Sequence, residues 1–338
     1  MTTSGLVACL RTCCPESIKK ILRPVWHWRI RRVRAEGTCL LPEVVTSLDE
    51  LDAKLAEVQA AAKISDDAMR NVFRSFSFNM KFDDLPDDPF SEEYRQYQLN
   101  LYRWLRGRDY DPGNERSHFD VEAAVAVPFP YITRSTDTVG THFTVLGFLY
   151  RHLKLSPDAT VLEFGPGWGN VTLGLARMGH QITVIDIEQN FLDLIRRRAE
   201  ILGVSVETVS GDFMEAARLD KCFDVLLFFE CFHHCSNHQA LVGLFDRLVS
   251  PGGRVVFGAE PITEAFYAPW GIRLDGESLW AVRANGWLEL GFRESYFREM
   301  LARYGWCVEK HQSADIPWLT VFVASRQSER TGAQMLGS

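Results

Sequence analysis

Hydrophobic and polar residues follow two different patterns along the chain, and the pattern changes near residue 155. In the N-terminal part, Ser47 and Glu50 form a capping box ahead of apolar residues that recur at helical spacing. Ser65 and Ser91 are placed to cap two further helices, and Gly107 can terminate the second of these. Residues 39–135 are therefore predicted to form a helical N-terminal segment.

From Leu155 onward, short apolar or β-branched runs alternate with segments of helical length. The predicted strands are residues 161–164, 182–185, 204–209, 225–229, 254–257, 306–310 and 319–324, and the predicted helices are residues 171–178, 189–202 and 239–249. Apolar strands separated by helices are typical of a parallel sheet with helices on both faces. The fold class predicted for residues 136–326 is therefore α/β, a doubly wound, Rossmann-like sheet of seven strands, with residues 260–304 as an aromatic insert.

Composition and charge narrow the class of protein. Of 338 residues, 46% are hydrophobic and 24% are charged, which excludes a disordered chain, a collagen-like repeat and a disulfide miniprotein. Residues 1–34 carry a net charge of +7, which leaves −14 on the remainder of the chain. An acidic body argues against binding to nucleic acid and favours a neutral or cationic substrate.

The N-terminal arm, residues 1–38, is basic and amphipathic. Trp26 and Trp28 lie among its cations, a composition that predicts peripheral contact of residues 15–34 with an anionic membrane surface. The alternative is an arm that packs on the body or on a second subunit of a homodimer. The last residues, 327–338, are predicted to be a disordered tail.

The predicted compartment is the cytoplasm, with membrane association through the arm. No run of apolar residues is long enough to span a bilayer, and the N-terminus lacks the apolar core of a secretory signal. The eight cysteines do not form a disulfide framework, which favours a reducing compartment.

A glycine-rich turn follows the first predicted strand of the sheet. Glu163 ends that strand, and Gly165, Gly167 and Gly169 then precede an apolar helix. Glycines permit close approach of the backbone, and a helix N-terminus offers free N–H groups to an anionic ligand. Two carboxylates follow the next strands: Asp186, placed to accept the hydroxyls of a ribose, and Asp212, which precedes Phe213 and can meet an adenine.

These residues resemble the motifs of the class I S-adenosylmethionine (SAM)-dependent methyltransferase family. The post-strand segment Glu230-Cys231-Phe232-His233-His234 and the turn Ser250-Pro251-Gly252-Gly253 are similar to later motifs of that family, and the order of all five agrees. A dinucleotide-binding Rossmann domain is the alternative, but it usually has a different glycine spacing and lacks this turn. The resemblance covers about residues 140–325.

The resemblance implies a set of residues that bind SAM and release S-adenosylhomocysteine. This set is Glu163, Gly165, Gly167, Gly169, Asp186, Ile187, Asp212, Phe213, Glu230, Arg134 and Thr141. Arg134 and Thr141 belong to it because the segment before the first motif commonly covers the methionine end of the cofactor. Capping of the following helix is the alternative role for this segment.

Candidate catalytic residues follow the fourth strand of the sheet. His233 or His234 can act as a general base, and Glu230 can orient a histidine or bind a substrate hydroxyl. The alternative is that one histidine only packs under the next helix. The spacing of Cys231, His233, His234, Cys235 and His238 matches no standard zinc site, so no metal is predicted.

The insert over residues 260–304 is the predicted substrate lid. Its candidate substrate residues are Tyr267, Trp270, Arg273, Trp280 and Trp287, because aromatic faces stack on sugar rings and polar groups read hydroxyls or amines. The alternative is that the aromatic residues form the core of the insert.

The sequence predicts methyl transfer from SAM to an oxygen or nitrogen of a small polar acceptor, preferably a sugar or amino-sugar. Two alternatives are a methyltransferase that acts on a lipid or lipid-linked substrate and a SAM-binding regulatory protein without catalysis. Methylation of DNA bases is not predicted, because Glu230-Cys231-Phe232-His233 stands where such enzymes have an Asn/Asp-Pro-Pro-Tyr motif.

Overall fold

A computed structural model of the protein describes residues 43–79, 84–117 and 119–326. The predicted basic arm and the predicted C-terminal tail lie outside these residues, and so does the predicted membrane contact of residues 15–34.

The helical N-terminal segment is confirmed, and the predicted serines cap its helices. It contains β1 (Glu43–Val45), α1 (Leu48–Ala62), α2 (Asp66–Ser75), β2 (Phe76–Phe78) and α3 (Glu92–Arg106). The hydroxyls of Ser47, Ser65 and Ser91 each accept a backbone N–H of the first helical turn, at 3.3, 3.1 and 3.1 Å. Gly107 ends α3 in the left-handed conformation, with φ +84°. The parallel pairing of β1 with β2 joins strands too short to stand out from the sequence.

Two more helices connect this segment to the sheet. They are α4 (Val121–Ala126) and α5 (Thr136–Leu153), with 3-10 turns at Pro112–Glu115 and Tyr131–Thr133. Ser135 caps α5, since its hydroxyl accepts the Thr138 N–H at 3.1 Å.

The remaining elements build the α/β domain. In chain order they are β3 (Thr160–Phe164), α6 (Asn170–Arg177), β4 (Gln181–Asp186), α7 (Gln189–Leu202), β5 (Glu207–Ser210), β6 (Phe223–Phe229), α8 (His238–Gly243), α9 (Phe245–Leu248), β7 (Val249–Gly258), β8 (Trp270–Ile272), α10 (Gly276–Trp280), β9 (Leu290–Phe292), α11 (Glu294–Arg303), β10 (Trp306–Gln312) and β11 (Thr320–Arg326). The single helix predicted over residues 239–249 is two short helices, α8 and α9.

The predicted seven-stranded sheet is confirmed. Its strand order is β10-β11-β7-β6-β3-β4-β5, and β11 and β10 are antiparallel to their neighbours while the other pairs are parallel. The rings of Phe164, Phe228 and Phe257 stack across three adjacent strands, with centroids 4.4 and 5.2 Å apart. β5 starts at Glu207, later than predicted, because the Val204 N–H is used to close the C-terminus of α7, where it donates to the Ala199 carbonyl.

The insert packs against the N-terminal segment. The Tyr94 hydroxyl donates to the Trp270 carbonyl at 2.8 Å, and the Tyr102 hydroxyl donates to the Gly286 carbonyl at 2.5 Å. The Ile272 N–H donates to Gln98 Oε1 at 3.1 Å. These buried contacts give the aromatic residues of the insert a packing partner in α3.

Within the described residues, no helix combines the length and the apolar character needed to cross a membrane.

Candidate active site

A cavity of about 230 Å³ lies at the carboxyl ends of the parallel strands. Much of its lining comes from the segments that follow β3, β4, β5 and β6, and the rest comes from the segments before β3 and from the insert. The strand order reverses at β3, which has β4 on one side and β6 on the other. In open α/β sheets, ligands bind in the crevice at such a switch point.

The glycine turn after β3 forms one wall of the cavity. Gly165, Gly167 and Gly169 have φ of +55°, +50° and +69°, a region that favours glycine. Gly165 and Gly167 line the cavity. A Cβ atom on Gly167 would have no protein atom within 4 Å, so this position leaves room for a ligand against the backbone. A Cβ atom on Gly169 would lie 2.5 Å from Ile195 Cγ1, so this glycine permits α6 to pack on α7.

The predicted cofactor carboxylates take two different places. Asp186 and Asp212 line the cavity, together with Ile187 and Phe213. Glu163 does not line it: this carboxylate is buried and accepts the Thr172 hydroxyl at 2.5 Å. Burial raises the pKa of Asp186 and of Glu163 to about 7.

The raised pKa of Asp186 predicts a pH-dependent stability. A carboxyl whose pKa rises on folding favours the folded state below its unfolded pKa, and this stabilisation is lost as the pH rises through its folded value. We expect the Tm of the ligand-free protein to fall relative to that of Asp186→Asn as the pH rises from 3.8 to about 7. Thermal unfolding of both proteins across this range measures the difference. A constant difference would mean that Asp186 titrates as a solvated carboxyl.

The segment before the first motif contributes a residue that the sequence did not indicate. Arg134 is exposed and Thr141 is half-buried, and neither lines the cavity. His142 of the same helix does line it. Asn170 Nδ2 donates to His142 Nε2 at 3.1 Å, and burial lowers the pKa of His142 to about 4, so this imidazole is neutral.

The two adjacent histidines differ in position. His234 lines the cavity, while His233 is buried behind it. The His234 ring bonds through Nδ1 to the Leu288 carbonyl at 2.7 Å, so Nδ1 carries the proton and Nε2 carries a lone pair. Burial lowers the pKa of His234 well below its usual value, which keeps that lone pair available.

Glu260 holds the turn that presents both histidines. Glu260 Oε1 accepts the N–H groups of Cys231 and Phe232 at 2.8 and 3.0 Å, and Oε2 bonds to His233 Nδ1 at 2.8 Å. Glu260 follows β7, next to the end of β6 at the same edge of the sheet. Its position after a predicted strand was the available signal in the sequence.

Other polar and aromatic residues complete the cavity beside His234. Tyr110, Glu115 and Trp287 line the cavity next to His234, and Glu230 and Asn237 line the same cavity. Glu230 stands directly after β6 with φ +54°. Burial raises the pKa of Glu115 well above its usual value, and its Oε1 accepts the Leu288 N–H at 2.8 Å. No sequence signal marked Tyr110 or Glu115, because they belong to a polar connecting loop.

Of the five predicted substrate residues, only Trp287 lines the cavity. Trp270 is buried and donates its indole N–H to the Pro89 carbonyl at 2.8 Å. Trp280 packs edge-on against Phe73, and Tyr267 donates its hydroxyl to the Ile272 carbonyl at 2.9 Å.

Arg273, the remaining predicted substrate residue, is also buried. It pairs with Asp275 and Glu289, both at 3.1 Å. Trp270, Trp280 and Tyr267 therefore belong to the core of the insert, which was the alternative to binding substrate.

Part of the chain matches a known family of domains. A family model described as "Methyltransferase domain" matches residues 162–257, the segment from β3 to β7. The resemblance to class I SAM-dependent methyltransferases is confirmed for this segment, and the α/β fold and strand order agree with it. The predicted methyltransferase class agrees with the description of this family model.

Curated relatives carry methyltransferase names. A demethylmenaquinone methyltransferase of Tropheryma whipplei (strain Twist) is 32% identical over 119 residues, which cover 35% of this chain and 48% of the relative. A ubiquinone biosynthesis O-methyltransferase of Klebsiella pneumoniae is 34% identical over 98 residues, which cover 29% of this chain and 40% of the relative. The chain thus spans less than half the length of these two relatives.

A solved structure is also similar to the chain. The magnesium protoporphyrin IX methyltransferase of Synechocystis PCC 6803, solved with bound SAH, has 17% sequence identity and a TM-score of 0.40. The similarity covers 56% of this chain and 83% of that one.

Proposed function

We propose that the protein transfers a methyl group from SAM to an oxygen or nitrogen of a small polar acceptor, preferably a sugar or amino-sugar. One observation carries this proposal. The glycine turn and Asp186, called the first or cofactor end below, line the same cavity as the polar and aromatic side chains around His234, called the second or acceptor end.

The residues at the first end fit SAM. The open backbone at Gly167 leaves space for the ligand, Asp186 offers a carboxylate to ribose hydroxyls, and Asp212 and Phe213 offer a polar group and a ring to the base. The neutral His142 lies at the same cavity and is a candidate contact for the methionine part. When bound, SAM supplies an activated methyl group on a sulfonium.

The residues at the second end fit an acceptor that must lose a proton. For a hydroxyl acceptor, in-line transfer requires alignment and removal of the hydroxyl proton. The lone pair on His234 Nε2 is the available group, because the Leu288 carbonyl holds the proton on Nδ1. Glu230 and Asn237 line the same end and can orient the acceptor through hydrogen bonds.

The preference for a sugar rests on the mixture of side chains around His234. Trp287 and Tyr110 offer aromatic faces on which a sugar ring can stack. Glu115, Ser236 and Asn237 offer groups that can bond to several hydroxyls or to an amine. An acceptor with an extended apolar surface would leave these polar groups without partners.

The test is transfer of labelled methyl groups. The purified full chain is incubated with methyl-labelled SAM and either a panel of sugars, amino-sugars and nucleotide sugars or a lipid extract of the cells that express it. We expect label in water-soluble sugars, and a variant lacking residues 1–38 should retain this activity.

The other outcomes separate the alternatives. Label in the lipid fraction, lost when residues 1–38 are deleted, would move the acceptor to the membrane and contradict the sugar preference. SAM binding without transfer to either set of acceptors would support a regulatory protein. Absence of SAM binding would contradict the proposed function as a whole.

A further inference from the structure

Three side chains with metal-ligating atoms meet behind and beside the acceptor end of the cavity. They are His233, His234 and Glu289, and one ligand atom from each lies within 4.8 Å of the other two. His233 Nε2 and Glu289 Oε2 are 3.8 Å apart. Glu289 is 6% exposed and His233 is 8% exposed, so these groups are held in the interior rather than on a solvated surface.

Both imidazoles are already oriented as metal ligands are. His233 bonds through Nδ1 to Glu260 Oε2 at 2.8 Å, and His234 bonds through Nδ1 to the Leu288 carbonyl at 2.7 Å. A histidine that binds a metal almost always donates its other ring N–H to a carboxylate or a backbone carbonyl. In both residues this arrangement leaves the Nε2 lone pair for a ligand.

The carboxylate of Glu289 is oriented in the same way. Arg273 Nη1 bonds to Glu289 Oε2 at 3.1 Å, and Arg273 is itself held by Asp275 at 3.1 Å. Carboxylates that ligate a metal are commonly fixed by such hydrogen bonds. The guanidinium therefore holds the carboxylate in place beside the histidines.

The charges of the cluster leave room for a cation. Carboxylates lie around the two histidines: Glu260 Oε2 is 2.8 Å from His233 Nδ1, Glu289 Oε2 is 3.8 Å from His233 Nε2, and Glu115 Oε2 is 3.4 Å from His234 Nδ1. Burial disfavours the charged form of a carboxylate unless a proton or a cation is bound. A divalent ion between the histidines and Glu289 would therefore be attracted by this group of carboxylates.

We propose that His233, His234 and Glu289 bind a divalent transition-metal ion of the zinc type at the acceptor end of the cavity. Two imidazoles and a carboxylate are a donor set of catalytic zinc sites, which keep a further position open for water or substrate. Bond lengths of about 2.0–2.2 Å place such donor atoms roughly 3–3.5 Å apart, so the three side chains must approach one another slightly on binding.

The consequence for the reaction rests on the proposed function. An ion at this position would coordinate the acceptor hydroxyl and lower its pKa. His234 would then act as a ligand, and the proton of the coordinated hydroxyl, made more acidic by the ion, would pass to solvent water instead of to this imidazole. Sequence spacing does not show the site, because Glu289, which directly precedes β9, is far along the chain from the two histidines.

The test measures ion binding directly, without activity. Purified, chelator-treated full chain is titrated with Zn²⁺ in competition with a chromophoric chelator, and with Co²⁺ while its visible absorption is recorded. Glu289→Gln retains the hydrogen bond to Arg273 but removes the anionic ligand, and it is combined with His233→Gln in a double variant. His311→Gln is the matched control, since His311 lies on β10 and pairs with Glu309.

We expect the wild type to bind an additional equivalent of Zn²⁺ relative to the double variant and to give a tetrahedral or five-coordinate Co²⁺ spectrum that the double variant lacks. Glu260→Gln, which perturbs the partner of His233, should weaken binding by about 10–100-fold. His311→Gln should bind as the wild type does. Any zinc held by cysteines elsewhere in the chain would be the same in the wild type and the double variant, so their comparison removes that contribution.

Equal Zn²⁺ stoichiometry in the wild type and the double variant, with the Co²⁺ spectrum unchanged, would overturn the metal site. Far-ultraviolet circular dichroism and SAM titration of each variant show that it is folded. Titration with SAM also separates the two proposals. SAM binding without ion binding at the cluster overturns the metal site alone, whereas ion binding without SAM binding overturns the proposed function alone.

Discussion

Gly165→Ala is expected to abolish measurable SAM binding. Gly165 lines the cavity with φ +55°, and a Cβ atom there would lie 2.8 Å from Cys231 Cβ. An alanine must therefore adopt a left-handed conformation, which costs about 1–2 kcal/mol, and must also displace the segment after β6. Displacement of Cys231 moves Glu230, which lines the same cavity. Isothermal titration calorimetry with SAM measures the loss, which we expect to exceed about 100-fold, or about 2.7 kcal/mol.

Gly179→Ala is the matched control for this prediction. Gly179 also has positive φ, +94°, but its Cβ atom would have no protein atom within 4 Å, and it does not line the cavity. Both variants carry the cost of a left-handed alanine, so both should unfold at a lower temperature than the wild type. Only Gly165→Ala should lose SAM. Equal SAM affinity in the two variants would contradict a cofactor site at this turn.

His234→Ala is expected to lower kcat by about 10²–10⁴-fold while the Kd for SAM stays within about threefold of the wild-type value. His234 lines the acceptor end of the cavity, and its Nε2 lone pair is the group available to a hydroxyl or to a bound ion. Loss of this imidazole removes the base for the acceptor hydroxyl or, if an ion is bound, one of the ligands of that ion. The glycine turn and Asp186 are untouched, so the cofactor should still bind. Methyl transfer to the acceptor found in the labelling experiment and SAM calorimetry measure the two effects.

His152→Ala is the matched control, because it removes a histidine with a similar hydrogen bond from a place outside the site. His152 bonds through Nδ1 to the Phe148 carbonyl at 2.8 Å, much as His234 bonds to Leu288, but it does not line the cavity. We expect its activity to match that of the wild type. If His234→Ala retains full turnover, the acceptor is methylated without this imidazole, and a neutral amine that needs no base becomes the better candidate.

The sheet and the cofactor turn were predictable because their signals are local. Alternating strands and helices set the order of the elements, and the glycines between β3 and α6 must adopt positive φ wherever that turn occurs. The serine caps were predictable for the same reason, since each hydroxyl bonds within its own first helical turn. Asp186 ends β4 and Asp212 closely follows β5, so the topology of a parallel sheet brings them to one edge.

The acceptor end was not predictable in this way, because distant segments form it. Even among the residues predicted to bind the cofactor, the sequence did not show which side chains face the cavity. Glu163 and Asp186 are both carboxylates at the carboxyl ends of strands, yet only Asp186 lines the cavity. Trp287 and Trp270 belong to the same insert, yet Trp270 is buried against Tyr94 of α3 while Trp287 lies beside His234. An aromatic ring of the insert can face a ligand only if no other segment of the chain covers it. The spacing of residues along the chain does not show which segment covers which ring.

The histidine pair, His233 and His234, was likewise predictable from the sequence only in part. The sequence alone indicates His233 and His234 as candidate catalytic residues. They follow the fourth strand of the sheet, and in the family that the motifs resemble this strand leads to the active site. Only the folded chain brings Glu260, Glu289 and Glu115 around them from three separate segments. Tautomer, burial and charge at this site are set by these long-range contacts, so the chemistry of the acceptor end is a property of the tertiary structure.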